Sequence, residues 1–167
     1  MHEKSIELLN KAIADEMWAV HQYMYFHFHC DDQGYDILAA LFKQTAIKEM
    51  LHTEDLAERI LFLNGQVELK ASQDVEDITD LRAMLEKALA MEEQAVKDYN
   101  TWAMECAAAS DSVSKTLFET LVVDEESHWD AFDTQLDHLD RFGEQFLALQ
   151  SFERSRSMAG GGGGEQA

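Results

Sequence analysis

Apolar residues recur along this chain at three- and four-residue steps in long stretches, the pattern of amphipathic helices. The first stretch covers residues 4–30, with Ile6, Leu9, Ile13, Met17, Val20 and Met24 on one stripe. Asp31-Asp32-Gln33-Gly34 breaks it. A second helix is predicted over 35–63, through Leu38, Leu41, Thr45, Leu56, Ile60 and Leu63, with Asn64-Gly65 as its C-terminal stop. Residues 66–76 form a longer polar connection, and Asp77 reads as the N-cap of a third helix over 78–108. That helix turns Leu81, Leu85, Ala88, Met91, Ala95, Tyr99 and Trp102 inward. Ser110-Asp111 punctuates the chain before a fourth helix over 112–141, carrying Leu117, Leu121, Phe132, Leu136 and Leu139. After Gly143 comes a short amphipathic segment, 144–152, with Phe146, Leu147 and Leu149.

Helices joined by short breaks run antiparallel, so the first two and the last two form hairpins. The longer middle connection has the reach to cross the length of a bundle. The predicted fold is all-α: a four-helix bundle of two antiparallel hairpins with a long crossover, plus a short fifth C-terminal helix. With 167 residues the chain makes one domain, placed at 1–153. Residues 154–167 are expected to be a flexible tail, polar from Arg154 and pure glycine from Gly160 to Gly164. The absence of proline leaves long helices unbroken.

The chemistry enters as a repeated spacing. Glu49 and His52 stand three residues apart, and so do Glu125 and His128. Each pair is preceded by another glutamate at an equal interval, since 49 − 16 and 125 − 92 are both 33. On a helix, positions i and i+3 share a face. Each pair thus presents a carboxylate beside an imidazole, and Glu16 and Glu92 each add a carboxylate from a preceding helix. Packed together, the four helices offer four carboxylates and two imidazoles to one point. Unpaired charges at a core face cost several kcal/mol each, on the order of the penalty for a buried ion, and two divalent cations would balance them. Oxygen and nitrogen donors without thiolate suit iron or manganese, with zinc also compatible. The constellation resembles that of ferritin-like di-iron and di-manganese bundles. The competing reading, exposed glutamates and satisfied histidines, must explain why Leu56 and Ile60 put His52 on the apolar face. Glu54, Glu93 and Glu126 are expected to point to water.

Charge and cysteines narrow the class. The formal net charge of −20 argues against nucleic acid or an anionic membrane as a direct partner, and most of it reads as a solvated acidic surface. No run approaches the ~18 apolar residues that span a bilayer, and the N-terminus has no apolar core of signal-peptide type. Cys30 and Cys106 form no C-x-x-C pair and read as free thiols, which favours the cytoplasm.

Other polar and sulfur side chains are weaker candidates. Met50 sits ~100° around the helix from Glu49, so it faces a neighbouring surface, and spacing alone makes it a packing residue. Tyr23 follows Glu16 by seven residues and is placed either to hydrogen-bond a ligand carboxylate or to pack in the core. His27 lies eleven residues past Glu16 and reads as packed or surface-lying rather than as a ligand. His2, His21, His29 and His138 show no complete ligand spacing.

Over about residues 5–150 the chain resembles the bacterioferritins. The likeness is densest in Glu16 to Tyr23, in Lys48 to Gly65 and in Asp124 to His128, and the short fifth helix is typical of the family. The resemblance implies a ferroxidase centre of Glu16, Glu49, His52, Glu92, Glu125 and His128, with Glu49 and Glu125 bridging two irons. It implies a hollow 24-subunit homo-oligomeric cage built of dimers, Fe(II) with dioxygen or peroxide as substrates, and a ferric mineral inside. It also implies haem of b type or a related kind, ligated by Met50 from each subunit of a pair, that passes electrons for iron release, with a ferredoxin-like reductant as a partner. One departure stands out: bacterioferritins often carry a His and an Asp just upstream of the Glu-Met-x-x-His stretch, where an inner-surface iron site forms, and here those positions are Gln44 and Lys48. Iron storage through a ferroxidase is the leading function. The alternatives are a rubrerythrin-like peroxide reductase, whose usual C-x-x-C domain this sequence does not show, a dodecameric mini-ferritin, and a non-enzymatic haem-bearing cage.

Overall fold

The computed structural model describes residues 2–160, arranged as five helices: α1 (Glu3–Asp32), α2 (Asp36–Phe62), α3 (Leu81–Ala108), α4 (Ser112–Phe142) and α5 (Glu144–Gly160). Each of the first four helices exceeds 25 residues (30, 27, 28 and 31 respectively), so each spans the bundle and buries one stripe along its whole length. α1 and α2 pack as one hairpin and α3 and α4 as another. The turns between them rest on residues that tolerate a left-handed backbone: Gly34 at φ 83° and Ser110 at φ 59°. Asn64, at φ 59°, ends α2 as expected for an Asn-Gly stop.

The crossover is tied to α1 at four heights. Asn10 donates to the Gln66 carbonyl and accepts from the Glu68 amide. The Ser72 amide donates to the Ala14 carbonyl. Gln22 accepts from the Glu76 amide and donates to its carbonyl, and Gln33 donates to the Thr79 carbonyl. Contacts that advance together along both segments mean the crossover runs parallel to α1 and delivers the chain to the far end of the bundle. α3 therefore runs antiparallel to α1, and the two hairpins face each other.

Two boundaries differ from the sequence reading. α3 begins at Leu81 rather than 78, with Asp80, not Asp77, as N-cap; its side chain accepts from the Ala83 amide at 2.9 Å. Both aspartates stand before the apolar run, and only Asp80 lies three residues ahead of an amide on the first turn. α5 continues past residue 152 to Gly160. Residues 152–158 are exposed, so this extension follows local helix propensity and leaves no periodic burial to read. Its side of the bundle is marked by Ser155, which donates to Asp36 at 3.1 Å. Most of the glycine run, 161–164, lies outside the described residues.

The core is divided. One apolar cluster holds Tyr23, Phe26, Phe42, Leu85, Met84 and Phe132; the other holds Leu9, Ile13, Leu56, Ile60, Tyr99 and Phe118. Between them lies a layer of buried charged side chains.

Candidate metal centre

Each long helix contributes to that layer. Glu16 comes from α1, Glu49 and His52 from α2, Glu92 from α3, and Glu125 and His128 from α4. The four glutamates are at most 2% exposed and His52 is 4% exposed. Their helical neighbours Glu54, Glu93 and Glu126 are exposed, as the spacing requires. All six residues singled out by the repeated spacing are thus brought to one place.

The distances give this layer a two-fold pattern. His52 Nδ1 lies 2.9 Å from Glu49 Oε2, 3.2 Å from Glu125 Oε1 and 3.5 Å from Glu16 Oε1. His128 Nδ1 lies 3.0 Å from Glu125 Oε2, 3.2 Å from Glu49 Oε1 and 3.8 Å from Glu92 Oε2. Glu49 and Glu125 therefore each turn one oxygen toward each imidazole, while Glu16 and Glu92 each serve one side. Two ligand sets result, Glu16-Glu49-His52-Glu125 and Glu49-Glu92-Glu125-His128, with the donor atoms of each set within 4.8 Å of one another. The imidazole rings stand 5.8 Å apart, nearly parallel at 24°.

The donor atoms fit cations better than they fit each other. Among the described residues, the only bases within 4 Å of these four carboxylates are the two imidazoles. His52 Nδ1, Glu49 Oε2 and Glu125 Oε1 are buried without a hydrogen-bond partner although they lie close together. Orphaned polar atoms of this kind are costly unless something satisfies them.

Electrostatics record the same crowding. Burial, reinforced by the charges of Glu49 and Glu125, holds Glu16 protonated well above the ordinary carboxylate range. Burial and the charge of Glu49 do the same to Glu92. Burial also opposes ionisation of Glu125, but the hydrogen bond with His128 and the close approach of the His52 imidazole win and hold it down at about 2. Burial alone would lower the histidines. Hydrogen bonding to Glu125, Glu49 and Glu92 nevertheless lifts His128 to about 12, and Glu125, Glu16 and Glu49 lift His52 strongly as well.

Two tyrosines brace the terminal glutamates: Tyr23 Oη donates to Glu92 Oε1 and Tyr99 Oη donates to Glu16 Oε1. Tyr23 therefore serves a carboxylate, the first of its two expected roles, though on α3 and not on its own helix. Tyr99 was expected only to pack inward; its signal was available, since 99 − 92 equals 23 − 16. Asp124 is a further neighbour, with Oδ2 3.3 Å from His52 Nε2, and no spacing announced it. His27 is not part of the site; its Nδ1 meets the Ala39 carbonyl at 2.8 Å. Met50 lies outside the layer and is half exposed. Gln44 and Lys48 are exposed and line a cavity of about 480 Å³ together with Asp124 and His128. On the opposite side, a cavity of about 150 Å³ lined by Asp15, Gln73 and Asp98 reaches the four glutamates.

The family model of the ferritin-like domain matches residues 6–142. The bacterioferritin of Rhodobacter capsulatus is 39% identical over 147 residues, covering 87% of this chain and 91% of the relative. Its solved structure, described with a metal-free dinuclear site and a haem iron, superposes with a TM-score of 0.86 at 36% identity, over 90% of this chain and 94% of the other. The bacterioferritin of Desulfovibrio desulfuricans, described with its diiron site in different catalytic states, gives 0.85 at 34% identity, over 87% and 85%. Sharing a ferritin-like domain and this degree of identity over nearly its whole helical length, the chain belongs to the bacterioferritins.

Proposed function

We propose that this protein oxidises and stores iron, with Glu16, Glu49, His52, Glu92, Glu125 and His128 as the ligands of a dinuclear ferroxidase centre. The observation that carries the reading is the pair of overlapping donor sets sharing Glu49 and Glu125. Four carboxylates offset the charge of two divalent ions, and their oxygens together with two imidazoles suit iron in either oxidation state. Iron bound here supplies the redox chemistry, giving electrons to dioxygen or peroxide. The protein's part is geometric and electrostatic. Tyr23 and Tyr99 fix the terminal carboxylates, the two apolar clusters close the layer along the bundle axis, and the shared glutamates hold the two positions at a set separation.

The wider reading follows from the family. Chains assemble as pairs into a closed homo-oligomeric cage, a 24-mer, whose cavity holds ferric mineral in the cytoplasm. Met50 from each member of a pair holds a haem at the two-fold interface; a thioether on a half-exposed helix face meets the steric need. A haem held there would supply electron transfer for iron release, with a ferredoxin-like protein as the donor.

The test is a titration of metal-free protein with Fe(II) under oxygen, followed by absorbance. A fast phase saturating at about two irons per chain, followed by slow growth beyond it, is expected. Oxidation that stops at two irons would retain the centre and remove storage; no fast phase would remove both.

A further inference from the structure

The two halves of the site are related by a shift of 76 residues along the chain: 92 − 16, 99 − 23, 125 − 49 and 128 − 52 all equal 76. The relation extends to packing, where Tyr23 stacks on Phe42 at 6.1 Å and Tyr99 meets Phe118 at 5.8 Å. It does not extend to every neighbour of the ligands, and one difference bears on the imidazoles. Asp124 precedes Glu125 and reaches the far nitrogen of His52; 76 residues earlier, the residue preceding Glu49 is Lys48.

That exchange gives the two imidazoles different surroundings. His52 turns Nδ1 into the donor layer and Nε2 toward the Asp124 carboxylate. An acceptor at Nε2 holds the proton there, leaves the Nδ1 lone pair to face inward and makes it a stronger donor. In agreement, the unpartnered buried atoms of the layer, His52 Nδ1, Glu49 Oε2 and Glu125 Oε1, all surround the His52 position. His128 lacks this support. Its Nδ1 is engaged by Glu125 Oε2 at 3.0 Å, and among the described residues no carboxylate meets its far nitrogen. It shares its cavity with the ammonium-bearing side chain of Lys48, a charge that disfavours a cation nearby.

We propose that the two metal positions are inequivalent: the position at His52, with Asp124 as its positioning residue, is the tight one, and Lys48 weakens the position at His128. The inference rests on the dinuclear reading above and adds an order of filling to it. Removing a partner of a metal-bound histidine of this kind costs about 10–100-fold in affinity.

Cobalt(II) is the probe, because its visible absorption reports coordination and its binding needs no turnover. Titrated into the metal-free full-length protein, Co(II) is expected to fill two positions per chain in two resolved steps. Asp124→Asn should weaken the first step about 10–100-fold and alter its absorption band, and Asp124→Glu should restore much of the affinity. Lys48→Asp, which gives His128 the residue that His52 enjoys, should tighten the second step and leave the first in place. Two equal steps in the unaltered protein, or an Asp124→Asn effect shared equally by both, would overturn the inequivalence and leave the dinuclear centre standing. Failure to bind two Co(II) per chain would overturn the centre itself and the proposal with it.

Discussion

The hydroxyl of Tyr23 on α1 donates to Oε1 of Glu92 on α3, and the reciprocal bond runs from Tyr99 on α3 to Glu16 on α1. Each helix thus carries a terminal carboxylate and, two turns later, the tyrosine that steadies the other helix's carboxylate. The pair of bonds locks the register of α1 against α3 at the level of the site. All four side chains are at most 2% exposed.

Tyr23→Phe should therefore cost more than a surface hydrogen bond. Leaving one oxygen of Glu92 buried and unpaired costs about 1–3 kcal/mol, read as a lower denaturation midpoint of metal-free protein at fixed concentration. Iron oxidation should slow without stopping, because no ligand is removed. Tyr99→Phe should behave alike through Glu16. A stability loss confined to one of the two would contradict the reciprocal arrangement.

Glu16→Gln should separate stability from function. The carboxyl of Glu16 is strained by burial and by the charges of Glu49 and Glu125. A neutral amide of the same shape removes that strain and still accepts from Tyr99. Metal-free protein should melt higher by about 2–4 °C, the equivalent of about 1 kcal/mol for a chain of this size. Bound Fe(II) should fall from two per chain toward one, with loss of the fast oxidation phase. A lower melting temperature in the metal-free state would show that Glu16 stabilises the layer by itself. Sites whose residues oppose stability are where function is expected to reside.

The six donor residues were legible because helical periodicity and the doubled 33-residue interval are both properties of the sequence, and both survive into the bundle without local distortion. The crossover was legible as a polar gap but its course was not, since Asn10, Gln22 and Gln33 hold it through main-chain groups that any sequence offers. The start of α3 was misplaced because Asp77 and Asp80 are equivalent caps until the first-turn amides are positioned. The pairing of Tyr23 with Glu92 needed the antiparallel setting of α1 and α3, which spacing within a single helix does not contain. Asp124 had no signal for the same reason: it acts across the bundle, from α4 to His52 on α2.

Protonation predicts how the metal-free and loaded proteins diverge with pH. Glu16 and Glu92 are raised above their ordinary value of 4.5, so their contribution is fully present below pH 4.5 and is lost as pH rises through the folded values. His128 is raised from 6.5 to about 12, so its contribution is intact below pH 6.5 and declines as pH climbs toward 12. Glu125, lowered to about 2, acts the other way: its contribution is present above pH 4.5 and is lost as pH falls through about 2. Between pH 6.5 and 9 the His128 effect lowers the stability of metal-free protein, Glu16 and Glu92 act in the same direction up to their raised folded values, and Glu125 adds no slope. Metal binding displaces these protons. The stabilisation conferred by saturating Zn(II), measured as the difference in melting temperature, should grow over that range. A weakly buffered solution at pH 7 should acidify on adding Zn(II). A difference that shrinks with rising pH would contradict the assigned charge states.

Met50 lies one residue, and therefore ~100°, from Glu49 on the same helix. Glu49 is buried in the donor layer while Met50 is 50% exposed beside the exposed Ile47 and Leu51. One turn of α2 thus serves two surfaces, the inside of the bundle and an exposed apolar face, the one that the proposed pairing of chains would cover. The substitution Met50→Leu keeps volume and apolarity, a change that costs less than ~1.5 kcal/mol even in a core, but removes the thioether sulfur. It should abolish haem uptake, measured by reconstitution and absorbance, where the unaltered protein takes about one haem per two chains, as a shared axial pair requires. Assembly and the fast Fe(II) oxidation phase should persist, because Glu49 and His52 keep their positions. Stoichiometric haem retained by the leucine variant would remove Met50 from the haem site while leaving the dinuclear centre untouched.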